Sequence, residues 1–101
     1  MALTPSLDSR VRANKDVLYQ ELQGEAVLLN LKTGAYFGLD PVGTRIWQLL
    51  QGHDLVSDIA ERIREEFDVS EERCTEDLLN LVAEMESSGL VSVSARAESD
   101  K

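Results

Sequence analysis

Apolar and polar residues alternate through much of the first forty positions, as they do in strands that bury one face. Residues Asp16 to Leu22 follow this pattern and predict a first strand, after which Gln23-Gly24 supplies a turn. A second strand is predicted from Glu25 to Leu31. The loop Lys32-Thr33-Gly34 then fits a three-residue hairpin with glycine in the left-handed position, and a third strand follows from Ala35 to Leu39.

After the third strand the apolar residues recur every three to four positions, which is typical of amphipathic helices. The first helix is predicted from Pro41 to Gln51, because Asp40 caps free amides and proline suits the first helical position. Ser57 is predicted to cap a second helix and Ser70 a third, and Gly89 ends the third. Leu90 to Val93 add a short last strand. The buried stripe of the third helix is predicted to be Cys74, Leu78, Leu81, Val82 and Met85.

This order predicts the α+β class, with a three-stranded antiparallel sheet followed by three helices. Two short helices that meet across a turn are also typical of a helix-turn-helix. The chain of 101 residues has room for one domain, which we place from Val11 to Ser94. Residues 1–10 and 95–101 lack periodicity and are predicted to be flexible ends.

Charge narrows the choice of partners. Nineteen acidic against ten basic residues give a net charge of −9, which repels nucleic acid and anionic lipid, so neither is an expected partner. Between Glu71 and Ser88 six acids face a single base, Arg73, which opposes a DNA-binding use of the third helix. The single cysteine and the lack of a secretion signal or a long apolar run favour the cytoplasm.

Catalytic chemistry has no visible basis in the sequence. The chain has one histidine and one cysteine, no glycine-rich phosphate loop and no carboxylates at metal-binding spacing, so we expect neither an enzyme nor a bound metal or cofactor. His53 lies between helices, where a solvated loop residue is expected. Cys74 lies on an apolar stripe and is expected to be a buried, inert thiol.

Two surface features point to binding instead. Leu79 lies off the main stripe of the third helix, on a shoulder shared with Thr75, Val82 and Glu86, and either widens a binding face or packs on a neighbouring helix. The third strand is an edge of the meander, and Ala35 to Leu39 carry no charge or proline that blocks pairing. Such an edge can accept an extended peptide, unless the chain termini or a second subunit cover it.

A further set of motifs lies in Gly24 to Leu39, Gly43 to Leu50, Asp77-Leu78-Leu79 and Gly89-Leu90-Val91, and it spans almost the whole predicted body. In these motifs the sequence resembles the PqqD-like family. Members of that family are small leader-peptide-binding proteins, also called RiPP recognition elements. The segment Asn30 to Tyr36 is more similar to stand-alone members in other peptide-modification clusters, such as lasso-peptide and radical-SAM systems, than to the quinone-cofactor branch.

The resemblance implies a winged helix-turn-helix-like fold and a leader peptide that docks as an added antiparallel strand. It places the peptide between the third strand and the third helix. On this basis we expect a non-catalytic chaperone that delivers the leader to a modifying enzyme of the radical-SAM or lasso type. A winged-helix DNA-binding protein and a scaffold subunit without peptide binding are the alternatives. The same unguarded strand edge also allows a homodimer. The two walls of the implied groove are Ala35, Tyr36, Phe37, Gly38 and Leu39, and Thr75, Leu79, Val82 and Glu86.

Overall fold

A computed structural model describes residues 5–23 and 25–95, which hold five strands and three helices. The predicted meander and the three predicted helices are present in the predicted order, which confirms the α+β class. In chain order the elements are β1 (Ser9–Ala13), β2 (Val17–Leu22), β3 (Glu25–Asn30), β4 (Tyr36–Leu39), α1 (Pro41–Leu50), α2 (Val56–Glu66), α3 (Glu71–Ser87) and β5 (Val91–Ala95).

The larger sheet has the antiparallel order β2-β3-β4, so β3 is central. Burial alternates along β3, where Ala26, Leu28 and Asn30 face the protein interior. Their neighbours on β4 are Phe37, opposite Leu28, and Leu39, opposite Ala26, and these share the inner face. The exposed apolar residues of the three strands are Leu18, Leu22, Val27 and Tyr36.

Side-chain caps begin α1 and α3 as the sequence predicts. The backbone N–H of Gly43 donates to Oδ1 of Asp40 at 2.7 Å, and that of Arg73 donates to Oγ of Ser70 at 3.2 Å. Gly89 has a φ of +77° after the end of α3, which few other residues adopt without strain. The chain then turns back, and the Leu90 N–H donates to the Met85 carbonyl at 2.8 Å.

The predicted cap of the second helix is wrong. Helix α2 begins at Val56, one residue before Ser57, and its N-cap residue Leu55 makes no side-chain capping bond. The Ser57 N–H instead donates to the Leu7 carbonyl at 3.1 Å. A backbone group from a distant segment therefore satisfies an amide of the first turn, and local capping rules do not anticipate such a contact.

A second sheet pairs β1 with β5 antiparallel. The sequence predicts the last strand, which is observed as β5, but predicts neither β1 nor this pairing. Val11 is buried in β1 with an exposed fraction of 1%, and it lies opposite Val93. Regular structure thus begins at Ser9, two residues before the predicted limit of the domain. Of the predicted flexible ends, residues 1–4 and 96–101 lie outside the described part of the chain.

The hydrophobic core lies between the inner face of the larger sheet, the three helices and the β1–β5 pair. Leu28 of β3, Ile59 of α2 and Leu78 of α3 are all buried in this core. The fully buried large side chains are Val11, Leu28, Val56, Ile59, Leu78, Val82, Met85 and Leu90. This packing fixes α3 relative to the sheet.

Candidate functional site

The hairpin between β3 and β4 determines which way β4 points. Gly34 has a φ of +78°, and its N–H donates to the Asn30 carbonyl at 2.7 Å, while the Asn30 N–H donates to the Ala35 carbonyl at 2.9 Å. This is the glycine bulge that the Lys32-Thr33-Gly34 loop predicts. Because the glycine conformation is specific, the hairpin has one register.

That register shows which backbone groups of β4 are free. In an antiparallel pair, successive residues direct their N–H and C=O groups alternately toward the partner strand and away from it. Asn30 and Ala35 form a hydrogen-bonded pair, so Tyr36 and Gly38 direct both groups away from β3. Among the described residues β4 pairs with β3 alone. Its outer edge therefore presents two N–H donors and two C=O acceptors.

A cavity of about 520 Å³ lies beside this edge, between β4 and α3. Its size is that of a pocket for several side chains. Phe37 and Leu39 contribute from the strand, and α1 and α2 contribute apolar side chains. The lining residues are Phe37, Gly38, Leu39, Asp40, Val42, Gly43, Ile46, Ile63, Val69, Cys74, Asp77, Leu78, Asn80, Leu81 and Glu84.

Among the residues that the sequence places on the strand wall, Phe37, Gly38 and Leu39 line the cavity. Ala35 and Tyr36 lie at the start of the same edge, and the Tyr36 side chain is 74% exposed on the outer face of the sheet. Gly38 has open space where a Cβ would lie. The structure thus brings the strand wall and the cavity together.

The cavity lies on a different side of α3 from the helix wall that the sequence predicts. None of Thr75, Leu79, Val82 and Glu86 lines the cavity, and Val82 is fully buried in the core. At about 100° per residue, Leu81 lies roughly 160° around α3 from Leu79. The sequence predicts Leu81 within the buried stripe, but it is only partly buried and lies at the edge of the stripe away from Leu79. The shoulder that faces the cavity carries Asp77, Leu81 and Glu84.

Asn30 positions the end of α3 against the sheet, a role that the sequence pattern did not predict. Its side chain is 5% exposed, and Nδ2 donates to the Ser88 carbonyl at 2.9 Å. Its Oδ1 accepts from the Lys32 N–H at 2.9 Å. The alternation along β3 calls for an apolar residue at position 30. The polar side chain of Asn30 at this position was the signal in the sequence that pointed to its role, because a buried polar group needs hydrogen-bond partners. Asn30 therefore joins the β3–β4 hairpin and the α3 terminus in one network.

The charged residues that line the cavity are all acidic. Asp40 caps α1 through one carboxylate oxygen, and Asp77 and Glu84 lie on the exposed side of α3. Arg73 forms an ion pair with Asp77 at 3.4 Å, but both side chains are well exposed, so water screens the pair. The cavity has an apolar floor and an acidic rim.

Cys74 lies at the bottom of the cavity wall with an exposed fraction of 5%. Its Sγ lies 3.6 Å from the Ala60 carbonyl, and burial raises the pKa of the thiol. The buried thiol expected from the sequence is thus observed. His53 is partly buried in the α1–α2 connection, away from the residues that line the cavity.

Two further properties concern the described part of the chain. In residues 5–23 and 25–95, no three histidine, cysteine or acidic side chains are grouped as a metal site would require. None of the helices described there has both the length and the apolar character needed to span a bilayer.

A free strand edge, an apolar cavity beside it and a helix that faces both define a small α+β binding domain. The chain belongs to the PqqD family, because residues 25–91 match the family model described as coenzyme PQQ synthesis protein D. This match confirms the resemblance found in the sequence. A search of curated proteins found no match.

Two solved structures are similar to this chain. TbiB1 in complex with the TbiA(beta) leader peptide is 34% identical, with 79% of this chain and 93% of that chain covered at a TM-score of 0.74. A lasso peptide synthetase B1 complexed with the leader peptide is 24% identical, with 81% and 96% covered at a TM-score of 0.71. The second likeness concerns the fold alone.

Proposed function

We propose that this protein is a non-catalytic peptide chaperone that binds the leader of a ribosomally made precursor by strand addition to β4. The observation that carries the proposal is the free edge at Tyr36 and Gly38 beside an apolar cavity. The leader-peptide complex of TbiB1, the 34% identical relative, supports it.

The geometry of β4 determines how a peptide would lie. An antiparallel strand exchanges main-chain hydrogen bonds with Tyr36 and Gly38, because their groups point outward. Peptide residues opposite Phe37 and Leu39 then direct their side chains toward the cavity, on the same face as those two residues. Main-chain bonds supply affinity for any extended chain, and the cavity selects alternate side chains.

The proposed site joins the edge from Ala35 to Leu39 with the cavity-facing shoulder of α3. On that shoulder Leu81 is the apolar contact. The opposite shoulder, with Thr75, Leu79, Val82 and Glu86, stays a prediction. A peptide that crossed α3 on that side would contact Leu79 rather than Leu81, so variants of the two leucines distinguish the walls.

Delivery to an enzyme explains what a binding domain without catalytic groups contributes. A chaperone that holds the leader and also contacts the modifying enzyme raises the effective substrate concentration at that enzyme. We place this partner among radical-SAM or lasso-type processing enzymes, on the sequence pattern from Asn30 to Tyr36. The cytoplasm, where precursors are made and a free thiol such as Cys74 stays reduced, is the proposed location.

The test is a proline substitution at the outward-facing glycine. Gly38→Pro removes one outward N–H and leaves the β3–β4 bonds intact, and proline is tolerated on edge strands. Gly38→Ala is the matched control, because its Cβ enters open space and its N–H remains. Losing one main-chain bond and leaving a peptide carbonyl unpaired costs about 1–3 kcal/mol, a roughly 5- to 150-fold loss of affinity.

Fluorescence anisotropy with labelled TbiA(beta) leader peptide measures the effect. Circular dichroism and thermal unfolding check that both variants fold. If the leader peptide binds to both variants, and binds Gly38→Pro as tightly as Gly38→Ala, strand addition at β4 is ruled out. Light scattering with and without leader shows whether a homodimer uses the same edge, since the two would compete.

A further inference from the structure

We infer that the peptide that occupies this groove carries a lysine or arginine two residues from an apolar residue that faces the cavity. The inference rests on the proposed function and specifies the substrate class of that site. It follows from the charges around the cavity, from their spacing along α3 and from the charge of the whole chain.

The cavity lining is asymmetric in charge. Asp40, Asp77 and Glu84 line it, and among the described residues that line it none is lysine, arginine or histidine. An acidic peptide side chain placed there would meet like charges, whereas a basic one would meet opposite charges. Selection against the wrong charge is a common source of specificity.

The acids on α3 are available to a ligand. In the described part of the chain Glu84 forms no salt bridge, and the Asp77 partner Arg73 is a neighbour on the same helix with an exposed side chain. An exposed pair of this kind is weak, so a peptide cation can replace Arg73 at low cost. Asp40 keeps one carboxylate oxygen for its cap and has the other free of that bond.

The spacing on α3 suits an extended peptide. Leu81 lies four residues after Asp77 and three before Glu84, which corresponds to about 6 Å and 4.5 Å along the helix axis. Peptide residues on one face of a strand recur about every 6.7 Å. When an apolar side chain contacts Leu81 and the peptide runs along α3, the next residue on the same face thus lies within reach of an acid.

The net charge of the whole chain also favours a cationic peptide. A net charge of −9 attracts cationic peptides and raises their rate of association. This effect on the association rate weakens with salt.

A random twelve-residue peptide library, displayed and selected on the immobilised protein, tests the inference whatever the sequence of the leader. The expected result is enrichment of lysine or arginine two positions from a leucine, valine, isoleucine or aromatic residue. The double variant Asp77→Asn, Glu84→Gln should lose that enrichment. A control with the same change of charge, Glu65→Gln, Glu76→Gln, alters exposed acids outside the cavity and should keep it.

Selected peptides should bind the double variant roughly two- to twentyfold more weakly than the parent, and the control variant with the parent affinity. Selected sequences that depend on the outward N–H of Gly38 but lack the basic residue would overturn the inference and leave the proposed function standing. Enrichment that persists in the double variant would overturn it as well. A selection that yields nothing above the Gly38→Pro background would overturn both.

Discussion

Leu81 and Leu79 form a natural pair for locating the peptide on α3. Both are partly buried leucines of the same helix, two residues apart, and they lie on opposite shoulders of its buried stripe. Leu81 lines the cavity and Leu79 does not. Glutamine has a similar length, forms helices well and adds no charge to the acidic rim, so Leu81→Gln and Leu79→Gln differ only in position.

The expected effect follows from burial. Less than half of the Leu81 side chain remains exposed, so docking a peptide on it buries apolar surface worth under about 1 kcal/mol. Replacing it with glutamine also places an amide in the groove, where desolvation costs about 1–3 kcal/mol. Together these predict a loss of about 1–4 kcal/mol in binding, or roughly 5- to 900-fold.

Isothermal titration of both variants with the leader peptide gives the affinities, and urea unfolding shows whether each variant is folded. Leu81→Gln is expected to weaken binding in that range, and Leu79→Gln to bind as the parent does. The opposite result would place the peptide on the shoulder with Thr75 and Glu86, as the sequence predicts. Parent-like binding by both would show that α3 is not part of the site.

Three further predictions concern the support of the groove. Asn30→Ala leaves the Ser88 carbonyl without its 2.9 Å donor, so urea unfolding should show a loss of about 1–3 kcal/mol, and an unchanged stability would show that the network is not needed. Thr44→Val removes a buried hydroxyl without a partner among the described residues, so the melting temperature should stay the same or rise, and a clear fall would reveal a partner. Burial raises the pKa of the Cys74 thiol, so the folded state holds the proton more tightly than the unfolded state. The contribution of the Cys74 thiol to the free energy of unfolding should be present below about pH 8.5 and be lost as pH rises through the raised pKa. Urea unfolding from pH 7 to 10 should therefore show a smaller fall in stability for Cys74→Ala than for the parent. An equal fall in both proteins would contradict a raised pKa at Cys74.

Local chemistry explains why much of the site was predictable. The left-handed Gly34 fixes the β3–β4 register, and that register alone decides that Tyr36 and Gly38 face outward. Helical spacing likewise identifies Leu78 and Met85 as buried. These features depend on residues close in sequence, where turn and helix rules apply.

The side of α3 that faces the cavity was not predictable in this way. Periodicity identifies the buried stripe of α3 but not which of its two sides faces the cavity, and Leu79 and Leu81 lie on opposite sides of Leu78. The side is set by how the helices pack on the sheet. Strand β1 was missed for a related reason, since a five-residue strand with the buried Val11 between two arginines gives little periodicity and its partner lies far away in sequence.

The pairing of β1 with β5 also affects how the protein forms during its synthesis. Val11 faces Val93, so the ribosome adds 93 − 11 = 82 residues before the partner of Val11 exists. At about 5–20 residues per second, this takes roughly 4–16 s. The hairpins and helices between them involve nearer neighbours and can assemble during that interval. The small sheet is then completed last, and the final strand both covers Val11 and buries Val91.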